Sequence, residues 1–266
     1  MQHIISLGAG VQSSTMALMA ACGELSPMPY AAIFADTQDE PAEVYSHLAW
    51  LQSMLPFPVY ITTRGKLSEQ LLKGNHMARI PFFIKAGGLV KRQCTRNFKI
   101  RPIRRKVREI LGFSPRSYIA PGSVSQWIGI STDEADRMKP SGVKFIVNRW
   151  PLLEDSVMMS REECKRWLWD RFHRSAPKSA CKQCPFQDDD HLLHLKETDP
   201  AAFTELIAFD ARLRSPEMIG HFRGEVFVHS SRVPLVQIDL AGLVANKQRR
   251  KSGYLFTNEC EGMCGL

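Results

Sequence analysis

Cys181-Lys-Gln-Cys184-Pro is the stretch of this chain whose residue types and spacing point most directly to chemistry. Two thiols two residues apart can close on one metal ion or one cluster through both sulfurs. The same spacing also suits a structural zinc site, a thioredoxin-type dithiol, or a buried pair with no metal, although no β-α-β redox context surrounds it. Two further thiols, Cys260 and Cys264, lie in the terminal stretch NECEGMCGL. Chain ends are poorly ordered unless tied down, so thiols there are either expendable or needed for chemistry that moves. The opening MQHIISLGAG has no basic n-region and no cleavage site, which reads as no signal peptide and a cytoplasmic location. Seven cysteines in such a chain are kept reduced, so metal ligation and thiol chemistry are favoured over a disulfide scaffold. Cys22 and Cys164 fall within helical patterns and read as bystanders. His191 and His194, three apart, read as ordinary helix residues.

A second chemical signal is the glycine turn SLGAGVQSS, after the first apolar run and before the first helical one. Glycines let backbone approach an anion, a helix start offers free N–H groups, and Ser13 and Ser14 can add hydroxyl donors. The turn is neither a Walker A loop nor a Gly-x-Gly-x-x-Gly fingerprint, and a tight turn without ligand is the bland alternative. The third signal is charge. The net charge of +8 is concentrated in residues 91–108, which hold nine Lys or Arg and no acid. Such a block attracts nucleotide phosphates, sulfate esters or nucleic acid, unless it is simply a solvated helix face.

The elements that must position these groups alternate between strand and helix. HIISL, YAAIFA, PVYITT and SQWIGI read as strands; STMALMAACG, EPAEVYSHLAWLQSML, KLSEQLLKG and FKIRPIRRKVREIL read as helices. That alternation predicts an α/β fold with a doubly wound parallel sheet. Residues 76–93, with Gly87-Gly88, lose the periodicity and read as a loop near the site. SREECKRWLWDRF opens on a capping box, Ser160 with Glu163. From about residue 174 the chain turns to short helices, a possible strand in EVFVH, and a basic end. We therefore expect a nucleotide-binding domain over 1–173, a mostly helical cysteine-containing subdomain over 174–245, and a mobile, basic, cysteine-bearing tail over 246–266. At 266 residues with 44% hydrophobic and 23% charged residues the chain can bury a full core, and no apolar run approaches the ~20 residues that span a bilayer.

Taken together, these stretches resemble a known family. SLGAGVQSS resembles the PP-loop of the adenine nucleotide alpha hydrolase-like superfamily, in the version found in phosphoadenylylsulfate (PAPS) reductases, with Gly10-Val11-Gln12 matching a Gly-Ile-Gln-like triplet. Gln12 stands where ATP-splitting members carry an acid that helps hold Mg²⁺. FADTQDEP is similar to an Asp-Thr-Gly-x-x-Phe-Pro segment through Asp36, Thr37 and Pro41, with Gln38 at the usual Gly. GISTDEADR is similar to a Gly-Ile-Arg-x-x-Glu-Ser-x-x-Arg turn through Gly129, Ile130, Glu134 and Arg137, with Ser131 at its first Arg. WPLLED is similar to the Pro-Leu segment that follows. QCTRNFKIRPI resembles the Cys-Cys-x-x-Arg-Lys-Val-x-Pro-Leu segment of iron–sulfur APS reductases; aligned on Lys99 and Pro102, Cys94 matches its first cysteine and Thr95 its second. The end of the chain, Glu259-Cys260 followed by Gly262, resembles the family's Glu-Cys-Gly motif, with Glu261 interposed and Cys264 extra.

The resemblance implies a sulfonucleotide (PAPS/APS) reductase-like enzyme. It implies a nucleotide site of Ser6, Gly8, Gly10, Gln12, Ser13, Ser14, Asp36, Thr37, Gly129, Glu134 and Arg137, with Arg92, Arg96, Lys99 and Arg101 holding the anion. It implies a 4Fe–4S cluster on Cys94, Cys181 and Cys184, its fourth position open or closed by a tail thiol, with zinc as the alternative. Cys260 would attack the sulfur of the bound nucleotide, and a thiol reductant such as thioredoxin, or a sulfur donor, would be the partner; Cys264, which the family's motif does not need, is a second thiol close by that could resolve a persulfide or S-sulfo adduct. A thiolate is the nucleophile in such chemistry, and nearby cations lower its pKa. Two other readings stay open. One is an ATP- and Mg-dependent, 4Fe–4S-dependent sulfurtransferase that thiolates tRNA or DNA. The other is a zinc-stabilised nucleic-acid-binding module. None of the three involves a membrane.

Overall fold

The computed structural model describes residues 1–250, the side chains of 248–250 excepted. The first apolar run forms β1 (Gln2–Leu7), and the glycine turn leads into α1 (Val11–Ala21). β2 (Ala31–Asp36), α2 (Ala42–Met54), β3 (Val59–Thr63) and the short α3 (Leu67–Leu72) follow in the expected alternation. Residues 76–93 contain a 3-10 turn and a two-residue strand, β4 (Phe83–Ile84). The basic segment opens with a π-helical turn, Thr95–Ile100, and continues as α4 (Arg101–Ile110) with Pro102 in its first turn. Proline lacks the N–H that a regular helix would donate from that position, so it is tolerated where an irregular turn hands over to a helix start.

β5 (Val124–Ile128) and β6 (Ile146–Arg149) complete a five-stranded sheet in the order β3-β2-β1-β5-β6, every neighbouring pair parallel. Residues on alternate sides of each strand feed two cores. Ile5, Leu7, Ala32, Phe34 and Trp127 face α1, α2 and α5 (Arg161–Phe172). Ile4, Ile33, Val124 and Ile146 face Ile103 and Val107 of α4. Helices therefore cover both faces, and the sheet is doubly wound as its sequence pattern predicts. The capping box at the start of α5 is formed, Ser160 accepting from the Glu163 N–H and Glu163 accepting from the Ser160 N–H.

The remaining helices, α6 (Asp189–Thr198), α7 (Pro200–Arg212), α8 (Pro216–Phe222) and α9 (Leu240–Arg250), enclose a separate core. That core draws on both halves of the sequence: Leu67, Leu71, Ile80, Phe82 and Phe98 pack with Leu192, Phe203, Phe209, Val226 and Leu240. β7 (Val226–Phe227) pairs antiparallel with β4, tying the late segment to the early one. Among the described residues no helix is long and apolar enough to cross a membrane.

Candidate functional site

The sheet reverses its winding beside β1, and the loops at the carboxyl ends of β1, β2 and β5 meet there, which is where open α/β sheets bind ligands. α1 starts at Gly10 with no side-chain cap, so its first N–H groups are left for another acceptor. The left-handed residue of the glycine turn is Ala9, at φ 56°, rather than either glycine. A buried alanine in that region is strained, and strain of this kind concentrates at ligand sites. Ser13 is spent inside the turn: its Oγ accepts from the Gly8 N–H at 3.2 Å and donates to the Gly10 carbonyl at 3.4 Å. Ser14 points the other way, its Oγ 2.9 Å from His47 Nε2 on α2. Ser6 is buried at the end of β1.

Gln12, fully buried, donates through Nε2 to Ser131 Oγ at 3.2 Å and Glu134 Oε2 at 3.3 Å. Arg137 lies 2.6 Å from Glu134 Oε1. Three residues read separately from sequence thus form one network across the β1/β5 crevice, and Ser131 is part of it. Gln12 Oε1 is buried with no partner, the kind of acceptor that marks a place for water or a ligand donor. Gly129 packs against the start of α1 so closely that a Cβ would lie 2.7 Å from the Ser13 nitrogen.

At the end of β2, Asp36 Oδ1 accepts from the Gln38 N–H at 2.7 Å and from Tyr45 Oη at 2.9 Å. Burial, then the bond to Asp36, raises the Tyr45 pKa, so its proton stays in place as a donor. Gln38 holds φ 58°, the conformation that glycine adopts without strain. The next residues turn inward. Thr37, Asp39 and Glu40 are all buried. Asp39 accepts from Ser68 N at 2.7 Å and Ser68 Oγ at 2.8 Å, and its pKa is raised, burial outweighing those bonds.

Cys94, Cys181 and Cys184 line one cavity together with Thr37, Arg92, Thr95 and Lys99. Leu67, Ile80, Pro81 and Phe186 supply its apolar walls. Thr37 Oγ1 is 3.1 Å from Cys181 Sγ, which in turn lies 3.4 Å from Glu40 Oε1. The backbone N–H of Lys182 donates to the Asp39 carbonyl at 2.8 Å, and Ser179 donates through its hydroxyl to the Gly8 carbonyl. The cysteine loop is therefore bonded to the ends of β1 and β2, next to the glycine turn. Among the described residues no three His, Cys, Asp or Glu side chains are disposed around a single ion position. Three thiols on one cavity are a donor set that suits a cluster, whose irons take one thiolate each.

The four cations read as one anion site fall into two groups. Lys99 is buried with its Nζ 3.3 Å from Glu40 Oε1, so its charge is matched, and Arg92 stacks on Phe186 at the cysteine cavity. Arg96 and Arg101 are exposed and sit with Arg104 in a cluster that has no carboxylate partner among the described residues. Burial, then Arg96 and Arg101, lower the Arg104 pKa, the direction expected of unneutralised like charges. Further along, Lys106 pairs with Glu109 at 2.7 Å and Arg108 donates to the Ser114 and Ser117 carbonyls, so those cations serve the helix and its exit. Cys260 and Cys264 lie outside the described residues.

Sequence reasoning missed Glu40, Ser179 and His47. Glu40 was legible only as one more acid in DTQDEP; its burial against Lys99 and Cys181 needed the fold. His47 and His191 are both held neutral. Burial pushes each down to about 4 from 6.5, with Arg174 beside His47 and Lys178 beside His191 acting in the same direction. The unfolded chain then binds more protons than the folded one between those values. Stability is fully present above about pH 6.5 and is lost as pH falls toward 4, by up to about 3 kcal/mol per histidine. Urea unfolding at pH 7 and pH 4.5 is expected to show this loss, and His47→Gln to reduce it; equal slopes for parent and variant would contradict the assignment.

The five-stranded parallel architecture is compatible with a Rossmann-like or PP-loop superfamily. No family model matches the chain, and no curated protein matches it.

Proposed function

We propose that this chain is a sulfonucleotide (PAPS/APS) reductase-like iron–sulfur enzyme. The observation that carries the reading is the bonding of the cysteine loop to the glycine turn and to the end of β2, which joins a thiol-lined cavity to a nucleotide-type crevice. The adenine nucleotide lies across the β1/β5 crevice, with its anionic group at the uncapped start of α1 and Asp36 Oδ2 left to accept from ribose or adenine. Arg96, Arg101 and Arg104 supply charge for the phosphosulfate. Cys94, Cys181 and Cys184 hold the cluster, which when bound offers an iron position open to a sulfur-bearing group.

The chemistry is assigned to the tail. The Cys260 thiolate attacks the sulfur of the sulfate; the S–O bond to the phosphate breaks, and the adenosine phosphate leaves with the electron pair. Cys260 then carries an S-sulfo group. Cys264 attacks the Cys260 sulfur, releases sulfite and leaves a Cys260–Cys264 disulfide, which an external dithiol of the thioredoxin class reduces. Cys260→Ser is expected to abolish thiol-dependent sulfite release from APS or PAPS while nucleotide binding is retained. Sulfite release that persists in the variant would overturn the assignment of the nucleophile.

A second reading is favoured by one observation, the acid-free Arg96, Arg101 and Arg104 cluster, which suits a polyphosphate backbone. In that case the protein is an ATP-dependent sulfurtransferase acting on tRNA or DNA. Thiolated nucleosides in digests from expressing cells, with no sulfite release in vitro, would select it over the reductase.

A further inference from the structure

A cleft of about 630 Å³ opens between α2, residues 174–178 and α6, and none of the residues lining it belongs to the glycine turn. Two deeply buried imidazoles border it. His47 is 3% exposed and His191 is 8% exposed, and each keeps one ring nitrogen, Nδ1 and Nε2 respectively, with no partner. The other nitrogen of His47 faces Ser14 Oγ at 2.9 Å. Among the described residues the Ser14 hydroxyl has no second acceptor; the pairing in which it donates to Nε2 leaves the ring proton on the buried Nδ1. Arg174 joins it, held over the Trp50 ring with its guanidinium carbon 4.7 Å from the ring centre. Stacking fixes the guanidinium plane while leaving its N–H edge for a ligand.

The charged groups around the two rings come from every side of the cleft. α2 contributes Glu43, the 174–178 segment Arg174 and Lys178, and α6 Asp188 and His194. Lys178 is matched by Asp188 at 2.9 Å, and Glu43 lies 3.5 Å from His194. Lys247 of α9 is paired with Asp190 at 2.6 Å. Among the described residues Arg174 is the cation of the cleft with no carboxylate beside it, and the two imidazoles are groups able to add charge. Buried ring nitrogens with no partner mark a place for a ligand atom, and a guanidinium with imidazole N–H groups is a donor set that tetrahedral oxyanions take.

We propose that this cleft is an oxyanion subsite, separate from the glycine turn, that takes a phosphate or sulfate group on Arg174, His47 and His191. The same chemistry is presented by a free nucleotide and by a nucleic-acid backbone. The proposal does not depend on the assignment of the cysteines. An anion on the two rings favours their protonated forms, so binding takes up protons. Affinity therefore rises as pH falls from 7 toward 5, the reverse of the pH dependence of the protein's stability.

The test uses the full chain and inorganic sulfate, which stays dianionic across this range. Ring nitrogen chemical shifts of His47 and His191 are followed by NMR at pH 7 and pH 5.5. Saturable shifts of both rings, tighter at the lower pH, are expected, with at least a tenfold weakening in Arg174→Gln. Arg174 lies at the surface end of the cleft, so this variant is expected to fold, with thermal unfolding unchanged from the parent. An adenosine bisphosphate and a short single-stranded oligonucleotide are then used as competitors. Displacement of sulfate by either one supports the subsite and names the source of its phosphate. Rings that do not respond to sulfate, equal affinity in Arg174→Gln, or a response to Zn²⁺ alone would overturn the proposal.

Discussion

Replacing Cys94, Cys181 or Cys184 by serine is expected to abolish the iron and sulfide content proposed for this protein while leaving the sheet folded. Anaerobically purified parent protein should carry about four irons and about four sulfides per chain, with the broad visible absorption of thiolate-ligated clusters. Each cysteine comes from a different environment. Cys181 is buried against Thr37 and Glu40, whereas Cys94 and Cys184 are half-buried on the other walls of the same cavity. A hydroxyl is a poor replacement for a soft thiolate, so each single variant should lose most of the cluster. Cys22→Ser, on the exposed surface, should retain it. One zinc per chain and no iron in the parent would move the three thiols to a structural role. Iron that survives all three substitutions would remove them from the site altogether. Circular dichroism of each variant separates loss of the cluster from loss of the fold.

Gly129→Ala is expected to destroy nucleotide binding and to lower the melting temperature. The added Cβ would lie 2.7 Å from the Ser13 nitrogen and 2.9 Å from Ser13 Cα and from the Gln12 carbonyl carbon. All three are backbone atoms, so the methyl cannot be accommodated by turning a side chain. The first turn of α1 must move instead, and with it the N–H groups proposed to hold the anion and the Gln12 contacts to Ser131 and Glu134. Overpacking of this kind costs about 1–3 kcal/mol, a drop of roughly 2–12 °C for a chain of this size. Isothermal titration with an adenine nucleotide should show at least a hundredfold weakening. Gly220→Ala, inside α8 where a Cβ meets nothing within 4 Å, is the matched control: it should leave the affinity unchanged and should not lower the melting temperature. Full affinity in Gly129→Ala would place the nucleotide away from the β1/β5 crevice.

Local patterns were sufficient for the parallel sheet's first strands, the helices that cover them and the cap at Ser160, because each depends on neighbours a few residues away. Two features escaped them for physical reasons. β6 is four residues at the sheet edge with only a 3-10 turn, Thr132–Arg137, as the helical element between it and β5, so no strand–helix alternation announced it. β4 is two residues long and exists only because it pairs with β7 more than a hundred positions away; β7 itself lies in EVFVH, the stretch read as a possible strand. The second core escaped too: its apolar residues from 67–98 read as the end of one unit, and only packing against α6 to α9 shows where they are buried.

For the site the division is similar. The amino-acid sequence by itself determined which groups are present: a glycine turn after a strand, acids at the next strand's end, a basic helix, and a Cys-x-x-Cys far downstream. Tertiary structure decided which of them act together. It brought Cys94 to the cavity of Cys181 and Cys184, turned Ser14 toward His47, and set Glu40 against Lys99, whereas the Arg96, Arg101 and Arg104 cluster has no carboxylate among the described residues. Residue type and local spacing fix what a side chain can do. Which partner it does it with depends on burial and on contacts between distant segments, and those appear only when the sheet closes over its cores.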